Sequence, residues 1–496
     1  MAYNGFAIDE YLDAAAVTAQ LDALMAAPVH SIRREKLADY VENYFNAKCP
    51  RSRQMTAMAK AVIPGGVQHN LAFNYPFPIV ITKAEGAKLW DMDGNWYYDL
   101  LQAGGPTILG SNVPAVRERI IELLNTCGPS TGLFHEFEYK LAKKISDLVP
   151  SVEMFRMLGS GTEADMCAAR IARLKTGKKN ILKMGGAYHG WSDQLAYGMR
   201  VPGTRGLLSK GVPGFVFQHT DEFFPNDLED LERKLRANRR TGGTAAVYLE
   251  PMGPESGTRP LSKEFVRGAA ALARRYGALL IFDEVVTGFR IGLSGAQGYF
   301  GVDPDLTVFG KIIAGGYPGA GGVGGHRDCM AHLGAGLDAS GKKASKAMCG
   351  GTMAATPISC AAGYYTLCEI ERTNACETAG RMGDRLTRGL QALIKQYHLP
   401  FVAFNQGSIC HLDNAGTMHF SIDWKKPWTI PGILKETGIR QKEMEHMGAA
   451  YMAEGIVTLA GSRLYTSAAY TEEMIDDVLA RFDRVLSSCA PLEARR

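Results

Sequence analysis

The chain has 496 residues, of which 46% are hydrophobic and 21% are charged, and its formal net charge is +4. This length allows one large domain or two to three ordinary ones, and the ordinary composition argues against large-scale disorder. Because the basic residues are spread along the chain, the sequence favours small-molecule partners over nucleic acid or an anionic membrane.

The ten cysteines form no CxxC pair and no Cys/His spacing suited to zinc, so we expect buried thiols of a reducing compartment and no metal site. No apolar run approaches the roughly 18 residues that a membrane span requires. The N-terminus lacks a basic flank and carries Asp9, Glu10 and Asp13, which argues against a secretory signal. We therefore expect a cytoplasmic protein.

The first elements along the chain are helical. Periodicity and charge predict an N-terminal arm over residues 1–62. Residues 63–104 are predicted to be the N-terminal part of a small domain. Within it, apolar and polar residues alternate from Pro78 to Leu100 on both sides of Asp93-Gly94, which is typical of a β-hairpin.

After residue 104, strand-like and helix-like runs alternate, and such alternation predicts parallel βαβ units in one large domain over residues 105–375. The runs are MFRML, ADMCAARIARL, NILKM, AAVYLE, a helix over 265–276, and ALLIF. Residues 376–496 are predicted to be a smaller α+β domain, with two helices and the short strands FVAFN, MHFSI and IVTLA.

A glycine-rich turn, Gly159-Ser160-Gly161-Thr162-Glu163, separates a strand-like run from a helix-like one. Glycines let the backbone approach an anion, and the free N–H groups of a helix start, with the Ser and Thr hydroxyls, suit a phosphate dianion. Taken alone, the turn fits an ordinary capped helix start equally well.

The second motif is Tyr188-His189-Gly190, which follows Gly185-Gly186. An aromatic ring on a glycine-flanked loop can lie over a planar heterocycle by offset stacking. Most Tyr-His pairs have no such role, so this motif needs the others for support.

The third motif begins with Asp283, at the end of the apolar strand ALLIF. In open α/β sheets ligands gather outside the carboxyl ends of the strands, so this carboxylate is expected to face the site. Against a pyridine nitrogen, an aspartate keeps that nitrogen protonated and makes the ring an electron sink. An aspartate that caps a helix or joins an ion pair is the alternative for this motif by itself.

The fourth motif is Lys311, which follows the strand LTVF and precedes the loop Ala314-Gly315-Gly316. A lysine that forms a Schiff base must be neutral in its free form, so it needs a desolvated position. A random lysine is usually solvated. The order of the four motifs, each on a separate βα unit, favours a pyridoxal-5′-phosphate (PLP) enzyme that holds its cofactor on Lys311.

One further motif would indicate a different cofactor. Gly319-Ala-Gly-Gly-Val-Gly324 fits GxGxxG, which would suggest a dinucleotide oxidoreductase. That fingerprint requires a preceding strand and a following helix. Here Pro318 precedes it and no helical start follows, so this activity and a catalytically silent scaffold are the weaker alternatives.

With their flanks, the four motifs resemble the class III (subgroup II) PLP-dependent aminotransferases, most closely the glutamate-1-semialdehyde 2,1-aminomutase branch. The resemblance runs from about Pro64 to the C-terminus. Its most specific stretches are IPGGV, GAKLWDMDGNWYYDL, GSGTEADMCAARIAR, AYHGW, FDEVVTGFR, GAQGYFGVDPDLTVFGKIIAGGYPGA and SAAYTEE.

The resemblance implies PLP fold type I, with a mostly parallel seven-stranded-type sheet flanked by helices, and a smaller α+β domain. It assigns a cofactor role to several residues, with Lys311, Asp283 and Tyr188 as the catalytic ones. Ser160, Gly161 and Thr162 would hold the phosphate, and Tyr188 and Val285 would cover the two ring faces. Asp283 would hold the pyridine nitrogen, Lys311 would form the Schiff base, and His189 is also predicted to be a cofactor-binding residue. Thr352 would reach the phosphate of the neighbouring subunit's cofactor, which implies a homodimer with active sites at the interface.

Departures from the aminomutase pattern bear on the substrate. The aminomutases carry a carboxylate-binding arginine after PGGV, whereas residues 68–73 here contain none. True transaminases often carry an arginine near Arg463 and a glutamate near Glu255, so these two residues are predicted to form a switchable pair that admits a keto acid. A surface arginine with a loop glutamate is the alternative.

The expected reaction is a ping-pong amino transfer between an amino acid or amine donor and a keto acid or aldehyde acceptor. An aminomutase, which is an isomerase that releases no keto product, and an amino-acid racemase are the alternatives on the same scaffold.

Overall fold

A computed structural model of the chain describes residues 5–334, 345–459 and 461–492. The strands, in chain order, are β1 (His30–Ile32), β2 (Ile81–Glu85), β3 (Lys88–Asp91), β4 (Trp96–Asp99), β5 (Met154–Leu158), β6 (Asn180–Met184), β7 (Thr220–Phe223), β8 (Thr244–Leu249), β9 (Leu279–Asp283), β10 (Leu306–Gly310), β11 (Gly321–Gly325), β12 (Val402–Gln406), β13 (Ile409–Asp413), β14 (Ile456–Val457), β15 (Arg463–Tyr465) and β16 (Cys489–Pro491).

The α-helices are α1 (Ala14–Ala26), α2 (Arg34–Tyr40), α3 (Pro50–Ala59), α4 (Pro114–Thr126), α5 (Glu136–Leu148), α6 (Gly161–Thr176), α7 (Leu228–Asn238), α8 (Pro254–Gly257), α9 (Lys263–Arg275), α10 (Gly295–Phe300), α11 (Arg327–Met330), α12 (Pro357–Thr373), α13 (Ala375–Gln396), α14 (Ile430–Ala453) and α15 (Glu472–Leu486). A π-helix continues α2 over Val41–Asn46. Among the described residues, no helix is long and apolar enough to cross a membrane.

The chain divides into two compact units. The first unit contains Met1–Ala15, Pro114–Cys376 and Phe420–Pro427, and the second contains the segments Ala16–Val113, Glu377–His419 and Trp428–Arg496. The two units are defined by the contacts within the chain. The domain boundaries predicted from the sequence, after residues 62, 104 and 375, stay a prediction.

The first unit is built on a seven-stranded sheet in the order β5-β11-β10-β9-β8-β6-β7. All strands are parallel except β11, which is antiparallel to both β10 and β5. The connection of residues 311–320 is too short for a crossover, so the chain returns antiparallel. The predicted mostly parallel sheet is confirmed.

Helix α6 forms much of the core on one face of this sheet. Ser160 caps its N-terminus and Gly177, with φ 67°, ends it in the left-handed conformation. The small residues Ala164, Ala168 and Ala172 recur every four positions and are completely buried, which lets the helix lie close to the strands.

Strand β9 is a continuous apolar run because a parallel sheet is covered on both faces.

The second unit contains three small sheets. Strands β12, β13 and β15 form an antiparallel sheet, β14, β4, β3 and β2 form a second, and β1 pairs with β16. The predicted hairpin at Asp93-Gly94 is confirmed, because β3 and β4 pair antiparallel across it. The predicted strand over MHFSI is wrong: residues 418–422 are irregular, and β13 pairs with β12 instead because Gly407, with φ 61°, turns the chain back.

Candidate active site

The candidate site lies at the carboxyl edge of the seven-stranded sheet. Asp283 ends the central strand β9, and Lys311 directly follows the neighbouring strand β10, in which Val308 is the partner of Asp283. Glu250 directly follows β8 on the other side of β9. Because parallel strands end at the same edge, side chains distant in sequence meet there.

The glycine-rich turn lies where β5 passes into α6. The hydroxyl of Ser160 accepts a hydrogen bond from the N–H of Glu163 at 3.3 Å, so Ser160 is the helix N-cap. A Cβ at position 321 would lie 2.1 Å from the carbonyl oxygen of Ser160, so only glycine lets β11 pass this close to the turn. The turn therefore presents backbone N–H groups at a helix start, which is the arrangement that binds phosphate.

The loop with Tyr188 and His189 packs against this turn. A Cβ at Gly190, which has φ 74°, would lie 2.2 Å from the hydroxyl oxygen of Thr162. Tyr188 is 46% exposed, and its backbone N–H donates to the carboxylate of Glu250 at 2.8 Å. The loop is therefore fixed at both ends while the Tyr188 ring remains accessible.

Asp283 and His189 form a buried hydrogen-bonded pair. Nδ1 of His189 and Oδ2 of Asp283 are 2.7 Å apart, and Oδ1 of Asp283 accepts the N–H of Val285 at 3.0 Å. His189 is completely buried, and this burial lowers its pKa although Asp283 opposes the effect. A neutral imidazole next to a carboxylate carries its proton on Nδ1, so His189 donates to Asp283.

Val285 lies between two glycines of the site. A Cβ at Gly161 would lie 3.0 Å from one methyl group of Val285, and a Cβ at Gly310 would lie 2.9 Å from the other. The two glycines leave room for the branched side chain, which fixes Val285 two residues beyond Asp283.

Lys311 has a strained backbone. Its φ is 47°, in the left-handed region, and it begins a short 3₁₀ turn, Lys311–Ala314. A non-glycine residue in this region costs about 1 kcal/mol or more, and such strain concentrates at functional positions. The positive charge of Lys311 acts to lower the pKa of Asp165, and burial outweighs this effect.

Two buried carboxyls at the site were missed by the sequence analysis. Glu250 accepts the N–H groups of Tyr188, Glu255 and Ser256, and burial together with the charge of Asp283 raises its pKa to about 8. Its place at the end of the run AAVYLE is the signal that identified Asp283, so the same argument would have found it. Asp165 lies inside α6, where no sequence signal distinguishes it from an exposed helical aspartate.

Asp165, His189 and Asp283 form one buried cluster, in which one ligand atom of each lies within 4.8 Å of the others. Two carboxylates and an imidazole could hold a cation. Burial and the charge of Asp283 raise the pKa of Asp165 well above its ordinary value, and His189 already donates to Asp283. These two facts favour a hydrogen-bonded network over metal ligation.

Thr352 follows Gly351, where a Cβ would lie 3.4 Å from a carboxylate oxygen of Glu163 at the start of α6. It is exposed and lines a cavity of about 410 Å³ together with Phe134, Arg156 and Met157. None of Asp283, His189 or Lys311 is among the described residues of that cavity wall. The expected contact of Thr352 with a neighbouring subunit's cofactor stays a prediction.

Glu255 and Arg463 belong to different units. Glu255 has φ 51°, and its N–H donates to Glu250 at 3.0 Å. Arg463 begins β15 opposite His411, and its carbonyl accepts the N–H of Leu459 at 2.9 Å. Their predicted pairing stays a prediction. The GxGxxG stretch lies largely within β11, an antiparallel strand, and so does not form a dinucleotide turn.

Comparison with known proteins identifies the class. Residues 71–459 match the family described as aminotransferase class-III, so the chain belongs to the class-III aminotransferase family. An omega-transaminase from Sphaerobacter thermophilus is 26% identical, with a TM-score of 0.77 over 90% of this chain and 99% of that one. A transaminase with PLP bound is also 26% identical, with a TM-score of 0.75 over 88% and 97%. A glutamate-1-semialdehyde-aminomutase from Pseudomonas aeruginosa PAO1 is 21% identical, with a TM-score of 0.75 over 95% and 98%, and shows the fold alone.

The protein is therefore a PLP-dependent enzyme of fold type I, as the resemblance predicted. The residues present fit this cofactor. The turn at Ser160 is a capped helix start, an arrangement suited to a phosphate. The glycines at positions 161, 190 and 310 leave the space that Val285 and Thr162 occupy. Asp283 is a buried carboxylate of the kind that a protonated ring nitrogen requires.

Proposed function

We propose that the enzyme moves an amino group between an amino acid or amine and a keto acid or aldehyde in two successive half-reactions. The observation that carries the proposal is the Asp283–His189 hydrogen bond of 2.7 Å at the end of β9, next to Lys311 at the end of β10. A buried carboxylate beside a lysine on the neighbouring strand supplies the two groups that amino-transfer chemistry on PLP needs.

Different residues of the chain would bind the phosphate, the ring and the aldehyde carbon of PLP. Ser160, Gly161 and Thr162 would bind the phosphate at the start of α6, Tyr188 and Val285 would face the ring, and Asp283, supported by His189, would pair with the ring nitrogen. Lys311 would hold the cofactor covalently through its ε-amine. When bound, PLP supplies an electron sink that stabilises negative charge at the substrate carbon.

Lys311 also acts as the acid and base. With its ε-amine free and neutral, Lys311 would take the proton from the substrate carbon that bears the amino group and deliver it, in the same half-reaction, to the cofactor carbon to which the lysine had been bound. The second half-reaction would move a proton in the opposite direction. The hydrogen bonds that Asp283 accepts from His189 and Val285 would keep its carboxylate in place during both half-reactions. An amino acceptor then restores the starting form, so ping-pong kinetics are expected.

Borohydride reduction followed by peptide mapping tests this assignment, and Lys183 provides an internal comparison. Lys183 is completely buried, and burial lowers its pKa to about 8, but its Nζ donates to the carbonyls of Ala187 and Tyr197 at 2.8 and 2.6 Å. We expect the label on Lys311 alone. A label on Lys183, or no label on PLP-treated protein, would overturn the proposal.

The aminomutase activity is a second candidate, because the most specific sequence stretches resemble that branch. Residues 68–73 lack the arginine that the branch carries, and this departure favours transamination. Release of a keto acid or aldehyde with a separate acceptor identifies a transaminase. Isomerisation without release identifies an aminomutase, and loss of optical rotation identifies a racemase.

For the substrate, we infer a keto-acid carboxylate held by Arg463, with Glu255 masking the arginine when an amine is bound. An arginine forms a two-pronged hydrogen bond with a carboxylate, which distinguishes a keto acid from an amine lacking that group. We also propose a homodimer in which Thr352 approaches the partner's cofactor, and a cytoplasmic location. The location is supported by the ten cysteines, all free in the described structure.

A further inference from the structure

Asp165 is an ionisable group of the site to which the proposed reaction gives no role. It lies in α6 four residues after Gly161 and is 1% exposed. Its backbone carbonyl accepts the hydroxyl of Tyr248 at 2.9 Å, whereas its side-chain Oδ1 is buried and has no hydrogen-bond partner among the described residues. A buried polar atom without a partner costs about 1–3 kcal/mol, so its presence requires an explanation.

His189 has the complementary feature. Its Nδ1 faces Asp283, while its Nε2 is buried and also lacks a partner within the described chain. Asp165 and His189 belong to the cluster whose ligand atoms lie within 4.8 Å of one another. These two buried atoms without partners would satisfy each other if one carries a proton and the other accepts it, directly or through one buried water.

The hydrogen bonds to Asp165 and Asp283 indicate which of the two carboxyls carries the proton. Asp283 accepts hydrogen bonds from His189 and Val285, and both stabilise its anion. Oδ1 of Asp165 accepts none from the described residues. Two buried carboxylates with a neutral imidazole beside them do not both ionise, so the proton resides on the one with fewer donors.

The remaining charged groups do not reverse this assignment. Burial raises the pKa of Asp165 most, followed by the negative charges of Asp283 and Glu250. The positive charges of Lys183 and Lys311 oppose these effects, but the net direction is well above the ordinary value. Tyr248 also packs here, with its ring centroid 5.2 Å from that of His189, and burial keeps its hydroxyl protonated by raising its pKa.

We propose that Asp165 is a positioning residue that carries a proton and presents it to Nε2 of His189, so that Nδ1 of His189 donates to Asp283 and Asp283 faces the cofactor ring as an anion. The proposal rests on the role of Asp283 in the proposed function. A histidine's ring orientation and tautomer are set by the partner of its second nitrogen, and Asp165 is that partner.

Infrared difference spectroscopy on the PLP-loaded enzyme tests the proton directly. The carbonyl stretch of a protonated carboxyl is absent from a carboxylate, and the wild-type minus Asp165→Asn spectrum isolates it from Glu250 and Glu284. We expect a protonated-carboxyl band in the wild type throughout the neutral range that Asp165→Asn lacks. A carboxylate band in its place would overturn the proposal.

The pH titration of the absorbance of the Lys311-bound cofactor tests the consequence. An amide donates an N–H to Nε2 as a protonated carboxyl donates its O–H, so Asp165→Asn should keep the wild-type midpoint. Asp165→Ala leaves His189 without its second partner, so the ring nitrogen of the cofactor holds its proton less tightly. The titration midpoint should therefore move to higher pH by about one unit. Equal shifts in both variants, or no shift in a folded Asp165→Ala, would overturn the proposal.

The borohydride label and the infrared band distinguish the role of Lys311 from that of Asp165. If borohydride labels Lys311 but the Asp165 band is that of a carboxylate, the role of Asp165 is lost and the proposed function stands. If no lysine is labelled, the proposed function is lost first. Should Asp165→Ala not fold, the infrared comparison with Asp165→Asn still decides the question.

Discussion

Two buried clusters, one in each unit, shift the pKa of a buried carboxyl in opposite directions. In the second unit, Glu443 lies 2.6 Å from a guanidinium nitrogen of Arg34 and 3.1 Å from Nδ1 of His446. Burial alone would raise its pKa, but hydrogen bonds with His446 and Arg34 outweigh that effect and lower the pKa to about 2. Glu443 is an anion whose charge is balanced by its own neighbours.

In the first unit, three carboxyls lie together with His189 at the sheet edge: those of Asp165, Asp283 and Glu250. Burial and mutual repulsion raise the pKa of Asp165, and they raise that of Glu250 to about 8. A group that is fully balanced stabilises the fold, whereas an unbalanced one is suited to meet the charge of a ligand. The contrast teaches that buried charge alone does not mark a site. At Glu443 hydrogen bonds to charged neighbours outweigh burial, whereas at Asp165 and Glu250 burial and repulsion between carboxyls dominate.

The largest expected effect comes from Asp283. Asp283→Asn removes the charge that would hold the ring nitrogen protonated, so we expect kcat to fall by about 10²- to 10³-fold, measured at saturating donor and acceptor. The absorbance of the bound cofactor should also change.

Glu284→Gln is the matched control for Asp283. Glu284 is the next residue and is also buried, but its carboxylate accepts the N–H groups of Ala296 and Gln297. This variant should lower the thermal unfolding midpoint and leave the cofactor spectrum as it is. The assignment of Asp283 is wrong if the two variants lose activity to the same extent.

The next effect concerns stability. Glu443→Gln leaves Arg34 and His446 without their anion, so the free energy of unfolding should fall by about 2 kcal/mol. Chemical denaturation at neutral pH measures this loss. Glu472→Gln is the control, because Glu472 pairs with Arg385 at 2.8 Å on the surface, where 63% of its side chain is exposed. Exposed pairs contribute little, so a similar loss in both variants would remove the distinction between the clusters.

The sequence predicted the first cluster only in part and the second not at all. Asp283 and Lys311 end or follow strands, and the carboxyl ends of parallel strands meet at one edge, so local pattern and topology together place them. Asp165 projects from a helix, and its burial depends on how α6 packs on the sheet, which periodicity does not specify. Arg34 and Glu443 are about four hundred positions apart, and no local pattern connects them.

The same limit explains the error at residues 418–422. The alternation in MHFSI is typical of a strand, but the N–H of Ile422 donates to the carbonyl of Pro202 at 2.9 Å, in the first unit. The partner of a short apolar run is decided by the tertiary structure rather than by the run itself.

The pH dependence of stability should differ in sign between the two clusters. The folded-state pKa of Glu443 lies below its ordinary value of 4.5, so its contribution is present above pH 4.5 and is lost as the pH falls toward 2. Glu250 has a folded-state pKa of about 8, so between 4.5 and 8 the folded state holds a proton that the unfolded state has released. Stability therefore falls as the pH rises through that window.

Glu250→Gln isolates the second of these effects. In cofactor-free protein, the wild type should lose about 2 kcal/mol between pH 6 and pH 8, and the variant should lose less. Denaturant titrations at the two pH values measure the difference. Parallel pH profiles for wild type and variant would show that Glu250 is ionised in the folded protein.

The smallest expected effect concerns Arg463, whose predicted partner changes with the substrate. Arg463→Ala should raise KM for the keto-acid substrate about fivefold, which corresponds to roughly 1 kcal/mol, and leave KM for an amine substrate nearly unchanged. Steady-state kinetics with one keto acid and one simple amine measure both values. Arg385→Ala in the same unit is the control, because Arg385 is bound to Glu472 and Asp476 at the surface and should change neither KM. If Arg463→Ala raises both KM values equally, the arginine supports the fold of its strand rather than the carboxylate, and substrate recognition must rest on other groups.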